Sequence, residues 1–172
     1  MQHYQFEAIH PFTDGNGRTG RIINLLYLVD KGLLDTPILY LSKYIIQHKS
    51  NYYSNLLRVT THQAWHEWIL YILEAVRETA KWTTRKIIGI QNLIKDTCFF
   101  VQSTVPTIYN KELIELLFVQ PYVRISNIVE QRLGSRFTAS KYLKILCDID
   151  VLVEMKVGRD KLFINKKFFR FT

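Results

Sequence analysis

His10-Pro-Phe-Thr-Asp-Gly-Asn-Gly-Arg-Thr-Gly-Arg21 is the stretch on which the reading of this chain turns. Pro11, Gly15 and Gly17 rule out regular helix over residues 10–17. From Arg18 the chain reads RTGRIINLLYLVDKG, with apolar residues at 22, 23, 25, 26, 28 and 29. They cover most of a helical circumference, which predicts a buried central helix with Gly32 as its stop. A glycine-rich loop therefore runs straight into a helix N-terminus. Small residues let backbone N–H groups converge there, and the helix end adds positive potential, so the segment suits an anion such as a phosphate.

The other side chains of the segment extend that chemistry. Arg18 and Arg21 are three apart and share a face near the positive end of the helix, an arrangement that calls for an anion between them. Asp14, just before the nest, is a natural Mg²⁺ ligand beside bound phosphates, because Mg²⁺ takes one or two carboxylates together with phosphate oxygens and water. His10 precedes the loop, and an imidazole is suited to taking the proton of an incoming hydroxyl. A structural histidine or a glycine turn alone would be ordinary. His, Asp, Asn and two Arg around three Gly point to Mg²⁺-nucleotide binding with a general base, and so to phosphoryl or nucleotidyl transfer. No Gly-Lys-Ser/Thr follows, which excludes a Walker A loop, and no βαβ unit surrounds the glycines, which excludes a dinucleotide fingerprint.

The segment resembles the signature HPFx(D/E)GNGRxxR of Fic-type protein AMP-transferases, with every defining position filled. The resemblance implies a Fic-type helical bundle that moves AMP from ATP to a Ser, Thr or Tyr hydroxyl of a protein, with Mg²⁺ and release of pyrophosphate. It assigns His10 as the base and Asp14 as the metal ligand. Asn16 and the Gly15 and Gly17 amides grip the α-phosphate, and Arg18, supported by Arg21, reaches the β- and γ-phosphates. Thr19 and Gly20 complete the phosphate loop, and Phe12 anchors it. Aromatics at Tyr52-Tyr53 match a feature beside the adenine, with Tyr53 favoured, while ordinary helix packing explains the pair equally well. Thr60 stands where some relatives carry an Asn near the base. Family members carry a flap, and some an inhibitory helix, ahead of the motif. Nine residues precede His10, so a part of a longer protein or a shortened member is expected.

Outward from the motif, Ser42 is expected to cap a helix over residues 43–59. Trp65, Trp68, Ile69, Ile72, Leu73 and Val76 mark an amphipathic helix that continues to about residue 100, with Gly89 a candidate interruption. Residues 103–110 read as a linker. Beyond it come a short helix over 111–118, an extended Val123-Arg-Ile125, and a helix capped by Ser126 and ended by Gly134. A second helix capped by Thr138 follows, then a hairpin of 151–157 and 161–165 joined by Gly158-Arg-Asp160. That order is a winged helix-turn-helix. The expected fold is mainly α: a catalytic portion over 1–103 and a winged-helix domain over 104–172.

Composition fits a soluble globular chain, with 48% hydrophobic and 22% charged residues among 172. No apolar run approaches the roughly 20 residues that span a bilayer, and no signal peptide is visible. A cytoplasmic location is the default expectation. Cys98 and Cys147 sit in apolar contexts and read as reduced, buried thiols. The net charge of +8 suits an anionic partner and is spread over both parts: residues 1–104 hold 11 basic against 8 acidic side chains, and residues 105–172 hold 12 against 7. His62 and His66 are four apart, but no zincin pattern accompanies them, and a solvated helix surface is the better reading. Ser135, Arg136, Ser140, Lys141 and Lys144 surround the second helix of the helix-turn-helix. They serve packing or protein contact, the favoured reading, or contact DNA. Lys166, Lys167 and Arg170, interleaved with Phe168, Phe169 and Phe171, form a basic surface or a docking strand. The expected partners are ATP and a hydroxyl-bearing protein, which could be the chain itself, and a homodimer stays open. Two other functions also stay open: a DNA-binding regulator with a sensory or vestigial nucleotide site, and a transferase of another phosphate-containing group.

Overall fold

The computed structural model describes residues 1–158 and 160–171, except the Phe171 side chain. Arg159 of the expected turn therefore lies outside the described residues, as does that side chain. The chain is mainly helical with one small antiparallel sheet, and its contacts divide it into Met1–Arg85 and Lys86–Thr172. Among the described residues no helix is long and apolar enough to cross a membrane.

In the first unit, α1 (Gln2–Ile9) packs against α2 (Asn16–Asp30), and α3 (Leu41–Gln47) and α4 (Lys49–His62) follow. The first half of α5 (Trp65–Thr104) completes the unit. Tyr52, Val59, Trp68 and Tyr71 form one core with Ile45, and Leu39, Leu41 and Ala75 form another. The cores collect the large apolar side chains that recur at three- and four-residue spacing along α4 and α5. Gly89 does not interrupt α5.

Three expectations for this unit are corrected. The apolar helix after the motif is not buried all round: Ile22 and Leu26 are each 56% exposed, and Asn16 and Gly20 are the residues of α2 with least access to water. Neighbouring elements cover one side of it, and a local pattern cannot say which. The helix expected over 43–59 is two helices that break at His48, and the first starts after Tyr40. Ser42 caps nothing, because its hydroxyl accepts from Arg21 Nε at 2.7 Å. His62 and His66 lie on different helices, separated by Gln63 at φ 56. No group of three or more metal-ligating side chains occurs among the described residues.

The second unit begins in α5 and passes through a 3-10 turn, Pro106–Ile108, in place of a free linker; Ile108 is buried in the core. Then come α6 (Lys111–Leu116), β1 (Tyr122–Val123), α7 (Ile125–Glu130), α8 (Arg136–Asp148), β2 (Val153–Val157), β3 (Asp160–Ile164) and α9 (Lys166–Phe171). The sheet order is β1-β3-β2, with Val123 opposite Phe163 and Met155 opposite Leu162. This is the winged-helix-like order expected. Leu113, Ile114, Ile128, Leu143, Leu146 and Phe163 fill its core. The caps differ from expectation. Arg124, not Ser126, precedes α7, its N–H donating to Asn127 Oδ1 at 2.8 Å. Ser135, not Thr138, caps α8 by accepting from the Thr138 N–H. Residues 166–171 are a helix, not a docking strand: Phe168 packs on Phe118, and Lys166 bonds to Asp150. Both cysteines are free and half-buried.

Candidate functional site

The motif is built on the α1–α2 corner. His10 closes α1 in the left-handed region at φ 50, its N–H donating to Phe6 O, and its side chain is exposed at the head of the loop. Asn16 shapes the loop that follows. Its side chain donates to Phe12 O at 2.6 Å and accepts from Phe12 N at 2.9 Å. With Asn16 only 2% exposed, this two-way clamp fixes residues 12–16 against the start of α2. The resemblance implies a grip on the α-phosphate for Asn16; in this chain both of its polar ends are used to close the loop. Phe12, expected as an anchor, lies at 6.2 Å from the Phe6 ring but remains half-exposed.

Gly15 opens α2 from φ 83, a conformation that favours glycine, and offers no side chain to cap the helix. The first-turn amides of α2 thus lack the side-chain acceptor that normally satisfies them, which leaves a donor-rich end for an anion. Asp14 Oδ1 accepts from Gly15 N at 2.7 Å, and its other oxygen pairs with Arg18 Nη2 at 3.0 Å. Both side chains are open to water, at 90% for Asp14 and 71% for Arg18. Arg21 turns the other way, toward Ser42 Oγ. The two guanidiniums of the motif are therefore held by different partners.

Beneath the loop lies a polar group that the sequence reading missed. His3 and Glu7, one turn apart on α1, face Gly17 and Gly20 of α2. Burial holds the His3 imidazole down at about 4; the Gly20 backbone opposes it, and the charge of Arg21 adds a smaller push in the same direction as burial. His3 Nε2 shares a 2.9 Å hydrogen bond with the buried Tyr52 hydroxyl, whose own ionisation burial pushes well up. The Glu7 side chain is 9% exposed and Oε1 has no hydrogen-bond partner. Burial pushes its carboxyl up, and Arg21 works against that. Although His3 Nε2 and Glu7 Oε1 are 3.9 Å apart, they are not an ion pair at neutral pH, because burial keeps the imidazole neutral. A signal existed: His3 and Glu7 at helical spacing, facing small residues at 17 and 20.

Gly20 is small because that space is taken. A Cβ there would sit 2.6 Å from Glu7 Oε1 and 3.1 Å from the His3 ring. In an open helix, Gly→Ala would stabilise by about 1 kcal/mol through propensity. Here intrusion into packed polar groups costs about 1–3 kcal/mol, so Gly20→Ala should be net destabilising. A urea titration followed by tryptophan emission checks this, and a midpoint above wild type would refute it.

The remaining candidates fall in different places. Tyr53 is exposed on α4, with its ring edge on Tyr52 and Lys49 Nζ at 5.9 Å from its centroid. Tyr52 belongs to the core. Thr60 shares a 2.9 Å hydrogen bond with the Tyr4 hydroxyl. Thr19 closes the first turn of α2, its N–H donating to Gly15 O at 2.9 Å.

Comparison with known proteins agrees with this layout at both ends of the chain. Residues 1–28 match the Fic/DOC family, and residues 93–168 match the C-terminal domain of SoFic-like protein adenylyltransferases. An Aquifex aeolicus protein named "probable protein adenylyltransferase" is 54% identical over 43 residues, which is 25% of this chain and 13% of the relative. The chain thus matches only a small part of that relative's length. The motif stands at the mouth of α2, and the two matches fall in chain order: the start of the chain is similar to the Fic/DOC family, and residues 93–168 are similar to the SoFic-like C-terminal domain.

Proposed function

We propose that the chain is the motif-bearing part of a protein adenylyltransferase, moving AMP from ATP to a Ser, Thr or Tyr hydroxyl of a protein. The observation that carries this reading is the loop itself: an exposed His10 at one lip, an uncapped helix start opened by Gly15, and an exposed Asp14 between them. Twelve consecutive residues thus supply a base, a cation ligand and an anion cradle.

In the proposed reaction the acceptor oxygen attacks the α-phosphorus, and its proton passes to His10. The bond from the α-phosphorus to the bridging oxygen breaks, and pyrophosphate leaves. The α2 amides and the loop backbone receive the transferred phosphate. Arg18 serves the leaving phosphates, and Arg21 supports it from its seat on Ser42. Arg18 and Asp14 hold each other at the surface, a contact worth at most about 1 kcal/mol, so a bound nucleotide separates them at little expense. Tyr53 is the proposed adenine neighbour.

The donor set fits Mg²⁺. One water-exposed carboxylate beside a phosphate cradle, without a protein cage among the described residues, is how Mg²⁺ is held with substrate phosphates and water. Asp14 would hold it there, and the ion supplies neutralisation of phosphate charge.

Incubating the chain with α-labelled ATP, Mg²⁺ and a cell lysate should label a protein, and γ-labelled ATP should not. Label from the γ position alone would overturn the reading in favour of phosphate transfer. Asp14→Asn should raise the Mg²⁺ concentration for half-maximal labelling at least tenfold, because a neutral amide is a poor ligand for a hard cation. An unchanged Mg²⁺ titration would remove Asp14 from the metal role.

A further inference from the structure

We propose that the second unit binds duplex DNA through the solvent face of α8. One side of α8, made of Ala139, Leu143 and Leu146, is buried in the core. The opposite side carries Arg136, Phe137, Lys141 and Lys144, all exposed, with Ser140 between them. Arg132, in the turn that precedes α8, adds a fourth cation. None of these four pairs with an acid among the described residues, whereas Lys111, Arg124, Lys161 and Lys166 of the same unit each do. The unit holds 14 basic against 8 acidic side chains, and three of the cations without an ion pair stand on this one helix.

Three features favour a duplex over an acidic protein. The charged surface is the exposed side of a helix that packs against α7 and β2, and a helix of this kind enters a major groove about 12 Å wide. Its cations are spread along roughly two turns of α8, matching phosphates on both sides of a groove; Asp148, at the far end, is the first acid on that face. Phe137 is 81% exposed among them, a cost in water that contact with a thymine methyl would relieve. Duplex RNA should not compete, because its major groove is too narrow for a helix. Lys156 on the hairpin is exposed as well and can meet the flanking backbone.

Fluorescence anisotropy of the full chain with a labelled 20-base-pair random duplex tests this. Binding should weaken with salt, with a log–log slope of about −3 to −4 for four phosphate contacts. Replacing Arg136, Lys141 and Lys144 together by Ala should lower affinity at least tenfold and flatten the slope by about 3. Removing the same charge at Lys31, Lys49 and Lys81 should do much less. Because all the substituted side chains are exposed, far-UV circular dichroism should be unchanged, and Lys141→Glu with Lys144→Glu provides a second variant. No binding at 50 mM salt, equal losses in both triple variants, equal competition by duplex RNA, or displacement by polyglutamate as readily as by DNA would each overturn the proposal.

Discussion

Replacing His10 by Asn is expected to lower label transfer from ATP by about 10²- to 10⁴-fold, the range for loss of a positioned general base, while nucleotide affinity stays within twofold. His10 ends α1, whereas the proposed phosphate cradle begins at Gly15, and no loop residue bonds to the imidazole among the described residues. Its backbone is left-handed, a conformation that His adopts more readily than Ala, so His10→Ala mixes a lost base with a small added backbone strain. Asn tolerates that conformation better than Ala. The two variants should therefore be equally inactive and unequally stable. If His10→Asn kept more than a tenth of the activity, the base would have to be another group. If it lost nucleotide binding as well, the histidine would belong to the cradle.

The motif was legible because its residues are contiguous: the groups proposed as base, metal ligand and cradle lie within one loop and one helix start, where spacing alone constrains geometry. The α5 periodicity and the helix-turn-helix order were legible for the same reason, since helical repeats and turn residues act over a few positions. What escaped depends on partners far along the chain. Ser42 looks like a cap until Arg21, 21 positions earlier, takes its hydroxyl. Tyr52 looks like a nucleotide contact until His3, 49 positions away, is found against it. Nothing in RIINLLYLVD says which side of α2 its neighbours cover. The break at His48 carries no Gly or Pro to mark it, and the caps at Arg124 and Ser135 are decided by backbone geometry that several nearby residues could satisfy. Gly17 and Gly20 read as phosphate-loop glycines, yet each also makes room for a side chain, Arg21 in one case and Glu7 with His3 in the other.

The His3 cluster should make the first unit acid-labile in a defined window. Folded, His3 resists protonation until about pH 4; unfolded, it takes a proton near 6.5. Between those values the unfolded chain binds more protons, so stability falls as pH falls. The full stabilisation is present above pH 6.5 and is lost by pH 4. At about 1.4 kcal/mol per unit, His3 alone removes about 3 kcal/mol across that window, a large share of a typical domain's stability. Glu7 acts in the opposite sense. Its folded carboxyl is raised, so the folded state gains its proton first, which relieves an uncompensated buried charge as the pH drops. The wild-type curve is therefore the difference of two effects, and the comparison with His3→Gln isolates one. That variant keeps a polar partner for Tyr52 but cannot titrate. All three tryptophans, Trp65, Trp68 and Trp82, lie in the first unit, so urea unfolding followed by their emission reports on it alone. The stability gap between wild type and His3→Gln should shift by about 3 kcal/mol against wild type from pH 7 to pH 4. Parallel curves would mean that His3 is hydrated or charged in the fold, and that the polar layer beneath the motif loop is held by Glu7 and Arg21 without it.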